Sequence, residues 1–307
     1  MVDPDGADVF EYDALDRLTK VTREVGGVAV GVETYAYNGL GALRINAGVA
    51  LDHQRPKLAG GGNADAAVPA TLGGQPVTLD AGGRVTSLRG TTLTWSRDGF
   101  VREAQDPIPA VSELYGVDSD GRRIARVQGT EREFYVFEGL DRVATLDSAG
   151  ALKDGYLFDG IDHPLRIKIA ATNTTAYYEL DLAGNVRGLR ASGGATLGGY
   201  RYSAFGQTVE DTSSIDQPLR WKARWFSPVA GGTYDVRARQ WSPELGIFLA
   251  VDEYAWHDEK TTLWGWPGMN PIRFRDPSGR GPIEIAQCLL AGRGWSVCME
   301  EEEERCW

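Results

Sequence analysis

Three charged residues between positions 237 and 279 have the types needed to act together on a peptide bond, namely Arg239, Asp252 and Asp276. Amide hydrolysis by aspartates needs two carboxylates close enough to share one proton, because neighbouring carboxylates cannot both ionise freely. An adjacent arginine would hold one carboxylate ionised, since its planar fork matches a carboxylate. The aspartates are 24 positions apart, which leaves room for two strands and a turn to bring them together.

The same three residues also suit purely structural roles. Asp252 follows the apolar run 247–251, where an aspartate often begins a turn. Asp276 opens the sequence DPSG, an ordinary turn with proline in its second position. Arg239 suits a strand residue on a solvated face. Residue types alone therefore leave two interpretations open, a catalytic pair of carboxylates or two unrelated turns.

No other residue pattern indicates a metal, a cofactor or a covalent nucleophile. The histidines, His53, His163 and His257, lie far apart in the sequence and lack zinc-site spacing. The sequence contains no glycine-rich phosphate loop followed by lysine and no GxSxG turn. We therefore expect no metal and no cofactor; His163 is expected to help a turn, and His257 to be exposed.

The last segment, residues 281–307, differs in composition from the rest of the chain. Its cysteines, Cys288, Cys298 and Cys306, form an odd number without a CxxC pair, which favours free thiols over a zinc site or disulfides. The pattern predicts a helix over 283–291 that ends at Gly292, and the five glutamates at 300–304 favour a solvated end. At 27 residues the segment is too short to fold alone as an enzyme.

The elements that position the charged residues come from a pattern repeated along the chain. Copies include YDALDRL from Tyr12, LDAGGRV from Leu79 and ELDLAGNVRGL from Glu179. In each, Asp or Asn caps its own turn, glycine supplies a positive φ, and alternating residues then suit a half-buried strand. Each copy is about one β-hairpin, and neighbouring hairpins must pair into a long sheet to bury their apolar faces. Residues 47–69 fit least and predict an irregular loop or a degenerate repeat.

The composition is that of a folded acidic protein with 39 glycines, so many tight turns are expected. The net charge of -11 argues against a nucleic-acid or anionic-membrane surface. An acidic N-terminus without an apolar stretch predicts no signal peptide, and no apolar run is long enough to span a membrane. Six of the nine tryptophans lie between 221 and 266, where packing within a sheet layer is expected rather than sugar stacking.

Several motifs together resemble Rhs proteins, whose YD repeats are shared by the C components of Tc toxin complexes. YDALDRL, DSDGRRIARV and YELDLAGNVRGL resemble the repeats, and GIDHPLRI and YRYSAFGQ resemble segments that precede the Rhs-repeat-associated core. LRWKARWF, GGTYDVRARQWSPELGIF and LWGWPGMNPIRFRDPSG resemble the core itself. The resemblance covers nearly all residues before Arg280.

This resemblance implies an all-β fold in which repeated β-hairpins form a long curled antiparallel sheet, one segment of a hollow YD-repeat shell. The strip would occupy residues 1–217, the core that caps it residues 218–280, and a variable tail, a short helix or a disordered end, residues 281–307. A strip of this length can curl but cannot enclose a volume. Further YD-repeat sheet is therefore an expected partner.

The resemblance also implies a reaction, because in many family members the core is an intramolecular aspartic protease that cuts just after a DPxG-Leu motif. By position, Asp252 and Asp276 match the two core aspartates and Arg239 matches the core arginine. The expected cut lies between Arg280 and Gly281, where Arg280 replaces the family's usual apolar residue.

The function that follows is a shell segment of a polymorphic-toxin or encapsulation system whose core cuts its own chain. Its C-terminal segment would be the substrate or cargo, a delivery-system protein would be a further partner, and the protein would be secreted or delivered at the cell surface. Nucleic acid is not an expected partner. Two alternatives stay open: a non-enzymatic β-repeat scaffold or cell-surface binding protein, and a truncated Rhs remnant.

Overall fold

The computed structural model describes residues 2–3, 6–57, 61–119, 121–252, 261–280 and 283–284. The helical segments among these residues are two single 3-10 turns, Trp221–Ala223 and Pro267–Met269. Neighbouring strands in the described sheets are antiparallel and consecutive in sequence, as a series of hairpins requires. The predicted all-β fold is confirmed. Within the described ranges, no helix has the length and apolar character that a membrane crossing needs.

The N-terminal part forms four small sheets of two to four strands each. Their strands are β1 (Val2–Asp3), β2 (Gly6–Tyr12), β3 (Leu18–Val25), β4 (Val28–Thr34), β5 (Ala36–Tyr37), β6 (Leu43–Asn46), β7 (Val49–Ala50), β8 (Gln54–Pro56), β9 (Asn63–Asp65), β10 (Thr71–Leu72) and β11 (Gln75–Pro76). The segment 47–69 therefore contains the short hairpin of β8 and β9, which makes it a degenerate repeat rather than a wholly irregular loop.

A sheet of 14 strands follows, and it is the long antiparallel sheet that the repeats predict. Its strands are β12 (Thr78–Leu79), β13 (Val85–Leu88), β14 (Thr91–Trp95), β15 (Val101–Pro107), β16 (Ala110–Val117), β17 (Arg123–Gln128), β18 (Glu131–Glu138), β19 (Asp141–Leu146), β20 (Leu152–Phe158), β21 (Pro164–Ile169), β22 (Thr174–Leu180), β23 (Val186–Ala191), β24 (Thr196–Tyr202) and β25 (Thr208–Asp211). Bulges interrupt the register of several pairs, for example between Thr94 and Trp95, and such bulges increase the local twist.

The turns between these strands have the chemistry that the repeat predicts. Asp80 Oδ1 accepts hydrogen bonds from the amides of Gly82 and Arg84 at 2.9 and 3.0 Å, and Arg84 Nε donates to Oδ2 at 2.7 Å. Gly83 has a φ of +77°, which a residue without Cβ adopts at little cost. The same bond to the amide four residues later is made by Asp13, Asn38, Asp118, Asp147 and Asp181.

The C-terminal part contains a separate four-stranded sheet and a final two-stranded pair. Its strands are β26 (Trp225–Ser227), β27 (Thr233–Val236), β28 (Arg239–Ser242), β29 (Ile247–Phe248), β30 (Phe274–Arg275) and β31 (Ile283–Glu284). Trp221, Trp241 and Trp266 are fully buried here, and the rings of Trp221 and Trp266 meet edge to face at 4.8 Å. These tryptophans pack against other side chains, as the sequence predicts.

This C-terminal part is built onto both earlier parts of the chain. The tryptophan cluster shares its core with Leu18 and Leu43 of the N-terminal sheets. The amide of Val85, at the start of the long sheet, donates to the carbonyl of Leu249 at 2.8 Å. At the other end of the sheet, Trp241 Nε1 donates to the carbonyl of Phe205 at 3.0 Å. The C-terminal residues therefore cover the strip at several points along its length.

One local expectation was wrong at its first residues. Ile283 and Glu284 pair with Arg275 and Phe274 as a strand, so no helix begins at Ile283; residues 285–291 lie outside the described part of the chain. The β-branched Ile283 suits a strand, and pairing satisfies its backbone groups. The described residues between Asp252 and Asp276, 261–275, contain one short strand and a 3-10 turn, which WPGMNP favours.

Candidate functional site

The structure brings Arg239, Asp252 and Asp276 together from three different elements. Arg239 opens β28, and Asp276 directly follows β30. Asp252 lies shortly after β29, where its amide donates to the carbonyl of Leu263 at 3.0 Å. This bond ties the chain before Asp252 to the chain that leads to Asp276, which is how residues far apart in sequence meet.

Arg239 is the centre of this group. Its Nη1 lies 2.9 Å from Asp252 Oδ2, and its Nη2 donates to Asp276 Oδ2 at 3.0 Å. The guanidinium carbon lies 3.8 Å from the ring centre of Phe248, and the residue is only 7% exposed. The sequence predicts an arginine that holds one carboxylate. In the structure Arg239 contacts both, because the two Nη groups of one planar fork can serve separate partners.

The two carboxylates differ in their access to water. The Asp276 side chain is 0% exposed, whereas the Asp252 side chain is 22% exposed. A charge–charge contact in the dry interior is stronger than one in water, so Arg239 and Asp276 form the less mobile half of the group. Asp252 forms the half that solvent can reach.

The DPSG segment is held by its backbone carbonyl groups. Arg224 Nη2 donates to the carbonyls of Asp276 and Pro277 at 2.9 and 3.0 Å. The Ser278 carbonyl accepts from the amide of Ala238 at 3.1 Å. Arg239 Nε donates to the carbonyl of Gly279. Every carbonyl of residues 276–279 therefore has a donor from the core.

Gly279 fits this segment because no side chain is possible there. Its φ is +76°, and a Cβ would lie 2.1 Å from the carbonyl oxygen of Val236, at the end of β27. The tight turn between β27 and β28 thus lies directly against the DPSG backbone. The side chains of Arg237 and Arg239 leave the same turn and reach the segment from there.

A second charged cluster supports the first, and the sequence interpretation did not include it. Asp162 Oδ2 lies 2.7 Å from Arg224 Nη2, and its Oδ1 accepts from Arg237 Nη2 at 2.8 Å. Arg237 also contacts Asp141 at 3.1 Å. The available signal was GIDHPLRI, one of the motifs that carry the resemblance, with its aspartate in a turn.

Burial and pairing shift the pKa values of this cluster. Burial opposes ionisation of Asp162, yet Arg224 and Arg237 outweigh it and lower the pKa of the carboxyl. Burial lowers the pKa of Arg224 to about 10, against the pull of Asp162. Burial also raises the pKa of Asp141 to about 6, although Arg237 opposes the shift. Asp162 is therefore the anion that balances the two arginines.

Two further buried basic side chains lie at the turn between β22 and β23. Arg275 Nη2 donates to the carbonyl of Ala183 at 2.6 Å, and its guanidinium lies against Gly184. Lys222 donates to the carbonyls of Ala183 and Pro271 and is 2% exposed. Burial lowers its pKa well below the usual value, and Arg275 adds to the effect. No sequence pattern indicates that Lys222 is buried.

The remaining candidate residues are placed as follows. The amide of Arg280 donates to Ser278 Oγ at 3.2 Å, whereas Gly281 and the three cysteines lie outside the described residues, as does His257. His163 closes a turn, its amide bonded to the carbonyl of Gly160 at 3.2 Å. Within the described ranges, no group of three or more potential ligands is arranged to hold a metal ion.

The hairpin strip, its aromatic cap and the arginine–aspartate group together resemble a YD-repeat β-strip with an associated core. The solved structure of a TcdB2–TccC3 complex is similar over 89% of this chain, with a TM-score of 0.65 and 18% identity. A Photorhabdus luminescens Tc holotoxin pore matches 90% of the chain with a TM-score of 0.64 and 18% identity. This chain covers 16% and 15% of those chains, respectively. The likeness shows the fold and confirms the resemblance to Rhs and YD-repeat proteins.

Curated proteins with similar sequences include two tRNA nucleases. The tRNA3(Ser)-specific nuclease WapA of Bacillus spizizenii is 23% identical over 296 residues, and the tRNA nuclease WapA of Bacillus subtilis is 22% identical over 296 residues. Each match covers 87% of this chain, and the chain spans 12% of the length of these relatives. No protein-family model matches the chain.

Proposed function

We propose that this chain is part of an Rhs-type shell and that its core cuts the chain after DPSG, at the Arg280–Gly281 bond. The observation that carries the proposal is the position of Arg239, which contacts Asp252, Asp276 and the carbonyl of Gly279. One side chain thus joins both carboxylates to the residue that precedes Arg280.

The path of the chain supports this choice of bond. β30 and β31 pair antiparallel, and in sequence the Arg280–Gly281 bond lies between these two strands. Consecutive Cα atoms are about 3.8 Å apart, so the carbonyl of Arg280 follows closely after the fixed carbonyl of Gly279. Because the substrate is part of the same chain, its effective concentration is high, and a modest catalyst suffices for one cut.

The proposed reaction is hydrolysis with one shared proton. The ionised carboxylate takes a proton from water, whose oxygen attacks the carbonyl carbon of Arg280. The protonated carboxyl donates its proton as the C–N bond breaks, which leaves a carboxylate on Arg280 and an amine on Gly281. Both carboxylates contact Arg239, and Asp252 is the one of the two that solvent reaches. Water is the only co-reactant, so no cofactor is needed.

The relatives support a place in a polymorphic-toxin system. Their names describe tRNA nucleases and a Tc holotoxin, and each is far longer than this chain. By analogy the C-terminal segment is the substrate and cargo, and further YD-repeat sheet and a delivery-system protein are partners. Secretion or delivery at the cell surface is the corresponding location.

A second candidate function is a non-enzymatic scaffold. The observation that favours it is the complete set of donors to residues 276–279, which would also serve to lock the end of the strip permanently. Arg280 in place of an apolar residue favours it as well. In this case both aspartates act only as counterions to Arg239.

Self-cleavage during cell-free synthesis distinguishes the two functions. We expect the wild-type chain to be cut. Asp252→Asn and Asp276→Asn should each be cut at least about 100-fold more slowly, because acid–base catalysis usually contributes that much. Asp98→Asn, an exposed aspartate in a turn of the strip, is the matched control and should be cut at the wild-type rate. Equal rates for all four chains would contradict the protease.

A further inference from the structure

Asp162 belongs to a turn of the repeat strip, yet its carboxylate contacts the two arginines that hold the DPSG segment. Arg224 Nη1 donates to Oδ1 at 3.0 Å and Nη2 lies 2.7 Å from Oδ2, so this pair is a two-point contact. Arg237 Nη2 donates to Oδ1 at 2.8 Å. Both side chains of the Asp162–Arg224 pair are only 4% exposed.

The backbone of this turn fixes the direction of the carboxylate. Asp162 has a φ of +57°, in the left-handed region that Asp and Asn tolerate better than most residues. Its amide donates to Asp141 Oδ1 at 3.1 Å, and Asp141 is also bound by Arg237. The turn and the second arginine therefore hold Asp162 from two sides.

The carboxylate is needed because buried cations cannot stay without a counterion. Arg224 and Arg237 both donate to the carbonyl of Pro277, and Arg224 donates to that of Asp276 as well. Carbonyl dipoles alone do not balance two buried charges. Arg237 also contacts Asp141, whereas Asp162 is the carboxylate that Arg224 contacts. Without the charge of Asp162, Arg237 would repel the Arg224 guanidinium, and the carbonyls of Asp276 and Pro277 would lose this donor.

We propose that Asp162 is a positioning residue that acts on the DPSG segment through Arg224 and Arg237. It thereby sets where Gly279 and Arg280 lie relative to Asp252, and this role in cleavage rests on the function proposed above. Because Asp162 comes from the strip, the site is complete only after the turn at 159–163 has docked on the core. Cleavage is thus coupled to assembly of the strip.

The test uses Asp162→Asn, because asparagine keeps the size and the left-handed preference of aspartate but removes its charge. Asp159→Asn is the matched control, since Asp159 is exposed and lies in the same turn. Two quantities are measured in the full chain: the rate of self-cleavage, and the amide hydrogen exchange of residues 276–280 in an Asp252→Asn background. The exchange measurement does not depend on whether the chain is cut.

We expect Asp162→Asn to slow cleavage and to speed exchange at 276–280 by about tenfold or more, the effect of losing one hydrogen bond to a charged group. Exchange in strand Val186–Ala191 should stay unchanged, as should both quantities in Asp159→Asn. Unchanged exchange at 276–280, or faster exchange throughout the molecule, would overturn the proposal. If the wild-type chain is not cut, the function proposed above fails, and exchange alone decides the role of Asp162.

A second variant guards against simple misfolding of the first. Arg224→Lys keeps the charge but cannot bind Asp162 and two carbonyls with one planar fork. If Asp162 acts through Arg224, amide exchange at 276–280 in the variant that carries both Asp162→Asn and Arg224→Lys should be no more than about threefold faster than in the more affected single variant. If the increase in exchange for the double variant equals the product of the two single increases, the two residues act independently, and the proposal would be wrong.

Discussion

Replacement of Arg239 by lysine is a strict test of the site when the free energy of unfolding is measured. Lysine keeps the positive charge but lacks the planar guanidinium that contacts three groups at once. The guanidinium of Arg239 contacts Asp252, Asp276 and the carbonyl of Gly279 through three different nitrogens. A lysine ammonium is a single point of charge on a flexible stem. It can stay close to Asp276 but cannot also span Asp252 and Gly279.

The expected loss follows from those contacts. One hydrogen bond to a charged group contributes about 1.5–3 kcal/mol, and a buried carbonyl left without its donor costs about 1–3 kcal/mol more. The stacking of Arg239 on Phe248 adds roughly 0.5–2 kcal/mol when the charge is desolvated. Since lysine retains part of each term, we expect Arg239→Lys to lower the free energy of unfolding by about 3 kcal/mol. If the same loss falls on the transition state, self-cleavage slows about 100-fold.

Urea unfolding followed by tryptophan fluorescence measures this loss, because Trp221, Trp241 and Trp266 are buried beside the site. Arg89→Lys is the matched control: the Arg89–Glu244 ion pair is 53% and 36% exposed, and such pairs contribute about 1 kcal/mol or less. A loss below about 1 kcal/mol for Arg239→Lys, equal to that of the control, would refute the assignment of three stabilising contacts to Arg239.

Two further predictions concern the surroundings of the site. Gly279→Ala should lower the free energy of unfolding in urea by at least about 2 kcal/mol more than Gly129→Ala. Both glycines have positive φ, but only a Cβ at position 279 would meet a carbonyl oxygen, at 2.1 Å. Equal losses for the two variants would contradict the close approach. Lys222 has a folded-state pKa far below its usual 10.5, so the unfolded chain binds this proton more tightly and stability falls as the pH falls. The difference in the free energy of unfolding between Lys222→Met and the wild type should therefore shift in favour of the variant as the pH falls below 10.5. A difference that does not change with pH would show that Lys222 is charged in the folded protein.

The repeated turns were predictable in detail because their chemistry is local. In LDAGGR the aspartate, the glycine and the arginine that form the turn lie within five residues, and Asp80, Gly83 and Arg84 make the expected bonds. The same locality explains deviations such as the one in WSRDG. There Ser96 Oγ accepts the amide of Phe100, four residues on, in place of an aspartate.

The long sheet was also predictable, because strands joined by short turns must pair with their neighbours. The C-terminal segment was not. The pattern at 283–291 fits a helix as well as a strand, and the choice at Ile283 depends on whether β30 is available to pair with it. That partner is a tertiary feature, which local propensity does not contain.

The charged groups of the site were only partly predictable. The resemblance to the Rhs-repeat-associated core singled out Arg239, Asp252 and Asp276, and the structure brings these residues together. Asp162 and Arg224 were missed because they lie 62 positions apart in a chain with 43 acidic and 32 basic residues, so no spacing singles out this pair. Lys222 was missed because lysine is almost always exposed, and sequence patterns rarely indicate the exception.

The intact mass of the freshly purified protein decides whether the site cuts. The proposed protease predicts a species that ends at Arg280 together with the 27-residue peptide from Gly281 to Trp307. It also predicts that Asp252→Asn keeps the full 33.4 kDa chain. If the wild-type protein has only the full-length mass, the chain does not cleave itself, and the contacts of Arg239 serve as a structural lock.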